Sequence, residues 1–121
     1  MNDPRHYAVI DVFNSKVTVK VGDVTIAEST KAFNLKEVGK TVYDQVLYIP
    51  KEDVAINLLS LEEGRTTHCP IKGDATYWSY NNIEAPDYFA WSYDNPLPRS
   101  KKIASCFAFN LYHVILTIQP K

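Results

Sequence analysis

The 121-residue chain is poor in cysteine, glycine and methionine, with two, four and one of them. Its two thiols, Cys69 and Cys106, do not form a C-x-x-C pair, which excludes the paired-thiolate zinc site and the dense disulfide framework of small secreted domains. A single bridge between them stays open, and two free thiols are the simpler expectation. Neither G-x-G-x-x-G nor G-x-x-x-x-G-K-[ST] nor D-x-D occurs, so the familiar nucleotide chemistries have no local support. No apolar run approaches the ~18 residues of a membrane-spanning helix. Charge of one sign is missing too: 13 Lys+Arg stand against 14 Asp+Glu, a formal net of -1. That balance argues against an electrostatic grip on nucleic acid or an acidic membrane surface. The stretch Met1-Asn-Asp-Pro-Arg-His-Tyr7 has no apolar segment after a basic start, and no N-x-[ST] acceptor occurs, so a cytoplasmic protein is expected.

What is present is a chain of globular composition, 45% hydrophobic and 22% charged. Its length suits one domain over 1–121, with 1–15 the less defined segment and 16–118 the regular part. Val17, Val19 and Val21 alternate with Thr18 and Lys20, as a half-buried strand requires. Gly22-Asp23 then supplies a primed two-residue turn, which would pair Val21 with Val24 and Val19 with Ile26. Further strands are expected at Lys31–Lys36, Gln45–Ile49, Ala75–Tyr80, Tyr88–Tyr93, Cys106–Phe109 and His113–Ile118, with Asn81-Asn82 in a connection. Pro50–Asp53 reads as a turn or one helical turn, and Arg99–Ser105 as a short helix. Val54–Leu61 fits either a bulged strand or a helix. About eight short strands at roughly ten-residue spacing predict an all-β fold, a small twisted two-sheet sandwich or barrel with little helix.

Reactive side chains concentrate between Thr66 and Trp78, where His68, Cys69, Lys72 and Asp74 fall within seven positions. A thiol is nucleophilic as thiolate, and a neighbouring imidazolium or ammonium favours that form, so Cys69 and Lys72 are the candidate catalytic pair. Against this, a lone cysteine is commonly a small core residue, and neighbours on an extended strand point to opposite faces, which would separate His68 from Cys69. Lys72 and Asp74 also fit an exposed ion pair, worth only ~0–1 kcal/mol. His6, His68, His113 and the two thiols show no recognised ligand spacing, so no metal and no cofactor is expected. The aromatics are the second signal. Trp78 and Tyr80 would share one strand face, Tyr77 the other, and Trp91 would share a face with Tyr93. Such belts pack a core or line a ligand cleft.

The segments His68-Cys-Pro-Ile-Lys-Gly-Asp-Ala-Thr-Tyr-Trp78 and Ala90-Trp-Ser-Tyr-Asp-Asn-Pro96, followed by Phe107-Ala-Phe109, carry a specific pattern. So do Val24–Ser29 and Tyr48-Ile-Pro-Lys-Glu-Asp-Val54 upstream. Over roughly Lys16 to Ile118 the chain resembles domain-of-unknown-function family number 427, sometimes labelled a nucleotidyltransferase domain. The resemblance implies a small β-tent-like domain without an established activity. Members of that wider fold group often hold zinc through two C-x-x-C pairs, which this chain lacks. It marks Glu37, Glu52, Asp53, Thr67, Cys69, Lys72, Tyr77, Trp78, Trp91 and Tyr93 as the family-pattern residues.

Two readings follow. In the first, the protein binds a small molecule, and is a candidate catalyst, in a cleft roofed by a Thr67–Gly73 loop and walled by Trp78, Trp91 and Tyr93. Lys72 would hold an anionic group, Cys69 or Tyr77 would orient or react, and Glu37, Asp53, Thr67 and His68 would complete the site. In the second, the same residues hold together a structural or protein-interaction module whose strand edge meets a partner.

Overall fold

The computed structural model describes residues 7–39, 44–80 and 88–121; the Asn81-Asn82 connection and His6 lie outside them. Ten strands occur among the described residues: β1 (Tyr7–Val12), β2 (Ser15–Val21), β3 (Val24–Ser29), β4 (Phe33–Val38), β5 (Val46–Pro50), β6 (Leu59–Cys69), β7 (Gly73–Tyr80), β8 (Ala90–Ser92), β9 (Cys106–Phe109) and β10 (Ile115–Pro120). They form two antiparallel sheets, one ordered β1-β4-β5-β9-β8-β7-β6 and one ordered β10-β2-β3, with no closed barrel among the described residues. The all-β, two-sheet expectation holds, and the strand number is ten instead of about eight. β1 arises in the segment read as undefined, and β6 continues through Glu62–Cys69, where charge and glycine hide its alternation. No described helix is long and apolar enough to cross a membrane.

The Gly22-Asp23 turn forms as expected, with Gly22 at φ +56° and Val21 opposite Val24. The register then shifts, so that Val19 faces Ala27 instead of Ile26. This bulge lets the consecutive residues Ile26 and Ala27 both turn inward, and each is nearly fully buried. Val54–Leu61 is neither of the two forms considered. Val54 makes an isolated bridge to Ala27, Ile56–Leu58 is a 3-10 turn, and β6 begins at Leu59. Lys51–Asp53 and Pro98–Ile103 are also 3-10 segments.

Alternation divides the interior in two. Phe107 and Phe109 of β9 join Val17, Val19 and Ile26 of the small sheet in the core between the sheets. Cys106 and Ala108 of the same strand point the other way, to Leu35, Tyr48, Tyr77, Tyr93 and Ile103. All four residues of β9 are buried, as suits a central strand covered on both faces. The second core lies on a curled surface. In a flat sheet β4 and β7 would be four strand spacings apart, about 19 Å at ~4.8 Å each, yet Glu37 on β4 reaches Lys72 beside β7 at 3.5 Å. Only a strongly curved sheet brings these ends together across its concave face. The Pro98–Ile103 segment packs on β1 at this side, and Lys102 Nζ donates to the Ile10 carbonyl at 3.4 Å.

Candidate functional site on the concave face

The site is built from strand register. β7 and β8 place Tyr77 opposite Trp91 and Thr76 opposite Ser92, so Tyr77, Trp91 and Tyr93 share the concave face. β6 and β7 place Thr67 opposite Ala75 and Cys69 opposite Gly73, adding Thr67 and Cys69 to that face. The Thr67 hydroxyl and the Tyr77 phenol share a hydrogen bond of 2.7 Å. Trp91 Nε1 donates to the Tyr48 hydroxyl at 3.2 Å, which brings in a tyrosine from β5 with no solvent exposure. In the sequence Tyr48 opens the Tyr48–Val54 segment, which carries no sign of what its hydroxyl faces.

Lys72 sits in the three-residue turn between β6 and β7, which is anchored on both sides. Ile71 is buried and its carbonyl accepts from Ser100 Oγ at 2.9 Å, while Lys72's own carbonyl accepts from Leu97 N at 3.0 Å. Gly73 follows at φ +103°, where a Cβ would lie 3.4 Å from Leu97 N and 3.5 Å from Asn95 O. Those are ordinary van der Waals separations, so it is the left-handed backbone that calls for glycine here. So held, the ammonium lies 3.5 Å from Glu37 Oε1 and 5.5 Å from the centre of the Tyr93 ring. The two charged side chains are only 13% and 15% exposed.

Burial raises the Tyr48 phenol well above its ordinary range, the Trp91 hydrogen bond opposing, and negative charge on nearby Cys69, Glu37 and Tyr77 adding to the shift. Burial raises Tyr93 likewise, with the Lys72 ammonium opposing. Both phenols are thus neutral and able to donate hydrogen bonds. The face presents an ammonium, a carboxylate, hydroxyl donors and a half-buried thiol around aromatic walls.

Not every sequence candidate lies here. The expected Thr67–Gly73 roof is mostly strand, because β6 runs to Cys69 and only Pro70–Lys72 turn. His68 faces the opposite side from Cys69, exposed and 2.8 Å from Asp74, so the expected separation by strand alternation operates. Lys72 pairs with Glu37, not Asp74. Trp78 opposes Ala90, packs on Phe107 at 5.3 Å and donates to Ser92 Oγ at 3.0 Å, which places it on the inter-sheet side. It cannot share a cleft wall with Trp91. Asp53 accepts from Ser29 Oγ at 2.7 Å and ties the Lys51–Asp53 turn to the small sheet. Trp91 does border a hollow, of about 390 Å³, lined mainly by apolar residues including Leu47, Ile49, Phe109 and Leu116. Among the described residues no three His, Cys, Asp or Glu side chains converge as a metal-ligand set.

No curated protein matches the chain. Residues 10–118, which include every concave-face residue described above, match one family model, and the chain therefore belongs to the family described as Domain of unknown function (DUF427).

Proposed function

We propose that the concave face of the large sheet binds a small anionic molecule, with Lys72 as its anchor. The observation that carries this reading is the Lys72–Glu37 pair, held nearly out of water over an aromatic ring. Removing two charges from solvent costs several kcal/mol, which their mutual attraction only about offsets, so such a pair is a poor device for stability alone. A preorganised ammonium in a low-dielectric recess is, by contrast, an efficient anion anchor. Lys72 has three donors, and one long contact to Glu37 leaves capacity for a ligand oxygen. Thr67, Tyr77 and the protonated phenol of Tyr93 would fix its orientation. Cys69, on the same face, is the group able to react with a bound electrophile.

The test is a thermal-shift screen against carboxylates, phosphates and nucleotides, because a ligand of the native state raises the unfolding midpoint by mass action. Lys72→Met should abolish any shift while the protein still folds. A shift that survives Lys72→Met refutes the anchor. The interaction-module reading draws support from one observation: Leu111, Tyr112, Ile115 and Ile118 are large, apolar and more than half exposed beside the β10 edge. Light scattering across concentration would reveal self-association through that edge.

A further inference from the structure

We infer that the hollow beside Trp91 is a second binding site, for a small apolar molecule without negative charge. It stands independently of the anion-binding reading above. Its origin lies in strand pairing. β5 and β9 form only two rungs, Ile49 with Phe107 and Pro50 with Cys106. Continued at that register, Leu47 would face Phe109 and Val46 would face Asn110, and neither pair forms. β5 stays with β4 over Val46–Tyr48, and β9 stays with β8 as far as Phe109. The large sheet therefore forks. The hollow of about 390 Å³ occupies the fork, with Val46 and Leu47 on one arm and Phe109 and Asn110 on the other.

Strand alternation sends Val46 and Leu47 to opposite faces, so a hollow that both border passes between the arms. That is how Trp91 of the concave face and Leu116 of the small sheet come to line one space. The hydrogen bond from Trp91 on β8 to Tyr48 on β5 ties one arm to the other.

Protein interiors are otherwise close-packed, with few voids larger than a water molecule, and apolar walls around empty space forfeit dispersion contacts. Ile49 and Phe109, 1% and 5% exposed, stand in such walls. The volume falls in the ~300–1,000 Å³ range of small-molecule sites. Asn34, Asp44 and Gln45 give the lining a polar border, and exposure of the last two marks the mouth. Asn34 Nδ2 donates to Gln45 Oε1 at 2.6 Å, which leaves the Gln45 amide hydrogens and the Asn34 carbonyl oxygen for a ligand head. Among the described lining residues Asp44 is the single charge, with no Lys, Arg or His to meet an anion. A carboxylate entering here would lose water and gain no cation. The preference is thus the reverse of that expected at Lys72.

Isothermal titration of the full chain with hexan-1-ol, octan-1-ol, octylamine and octanoate tests the inference. Lys72→Met protein is titrated beside wild type, so that the concave-face ammonium cannot supply the octanoate binding. Octanol should bind about tenfold more tightly than hexanol, the effect of two further buried methylenes. Octanol and octylamine should both bind at least about tenfold more tightly than octanoate in Lys72→Met. Asp44→Lys should narrow the octanoate deficit and leave octanol affinity within about twofold. Leu116→Trp, which fills the hollow, should abolish octanol binding, and its unfolding midpoint establishes that it folds. Ile118→Trp, at a half-exposed lining position, replaces it otherwise. Octanol binding that survives the filling variant, no gain from hexanol to octanol, or octanoate matching octanol in Lys72→Met overturns the inference. A hollow filled by a second copy would show instead as a mass that rises with concentration and no octanol binding, which overturns it too. None of these outcomes bears on the Lys72 site, because octanol carries no charge.

Discussion

The two thiols show how placement alone separates chemically identical residues. Cys69 is half-buried on the concave face, while Cys106 on β9 is buried, and burial pushes its thiol up to about 11, with Glu52 adding to the effect. Iodoacetamide should therefore label Cys69 first, and Cys106 only on unfolding; mass mapping of the alkylated peptides checks the order. Cys106 also makes stability pH-dependent. Between its ordinary value and about 11 the unfolded chain loses the thiol proton and the folded chain keeps it. The associated stability is complete below about pH 9 and disappears as pH rises through the folded value, about 2–3 kcal/mol in all. Urea unfolding across this range should show a flatter alkaline decline for Cys106→Ala than for wild type. A parallel decline would contradict the assignment. Tyr48→Phe should cost about 1–2 kcal/mol, because the Trp91 N–H loses its acceptor at a buried position. Cys69 and Lys72 were legible as candidates from residue chemistry. The place of Tyr48 was not, since a tyrosine in an apolar strand carries no local sign of what it faces.

Among the elements, the turns decide geometry. Gly64 and Gly73 both have positive φ, and an added Cβ meets open space at Gly64 and only ordinary van der Waals contact at Gly73. Each alanine replacement should cost about 1–2 kcal/mol for the left-handed backbone. The two replacements should therefore lower the denaturation midpoint by similar amounts. A clearly larger loss for Gly73→Ala would show instead that Asn95 and Leu97 crowd the added methyl. The β2–β3 hairpin was legible because alternation and turn chemistry are both local. Its bulge was not, because Ile26 and Ala27 are turned inward by the sheet opposite and by the Ala27–Val54 bridge. Beyond Leu61 strand β6 is not legible for a related reason: most of its residues are exposed, so burial never imprinted a period on it.

Across the whole molecule, β9 joins two interiors. Phe107, 2% exposed, fills the inter-sheet core against Trp78, while its neighbours Cys106 and Ala108 back the concave face. Phe107→Ala should destabilise by about 3–5 kcal/mol, through lost transfer energy and the cavity left behind. One unfolding transition seen both by aromatic fluorescence and by far-UV circular dichroism would show that the two sheets fold as a unit. Separate transitions would show that they do not. The ion pair joining β4 to the β6–β7 turn belongs to the same scale. Thirty-four positions and several strands intervene between Glu37 and Lys72, and only the curl of the sheet brings them within reach.

Local regularities thus determined a good part of this protein from the chain alone: an all-β fold, a glycine hairpin and an element ending at Pro50. Those features depend on periods of two and on turn residues, which act over a few bonds. Tertiary structure decided which side chains share a surface. Register placed Tyr77 and Trp91 on the concave face and sent Trp78 to the other, and curvature paired Lys72 with Glu37 instead of with Asp74. Such choices follow from hydrogen-bond pairing and sheet twist summed across seven strands, and no short window of sequence contains them.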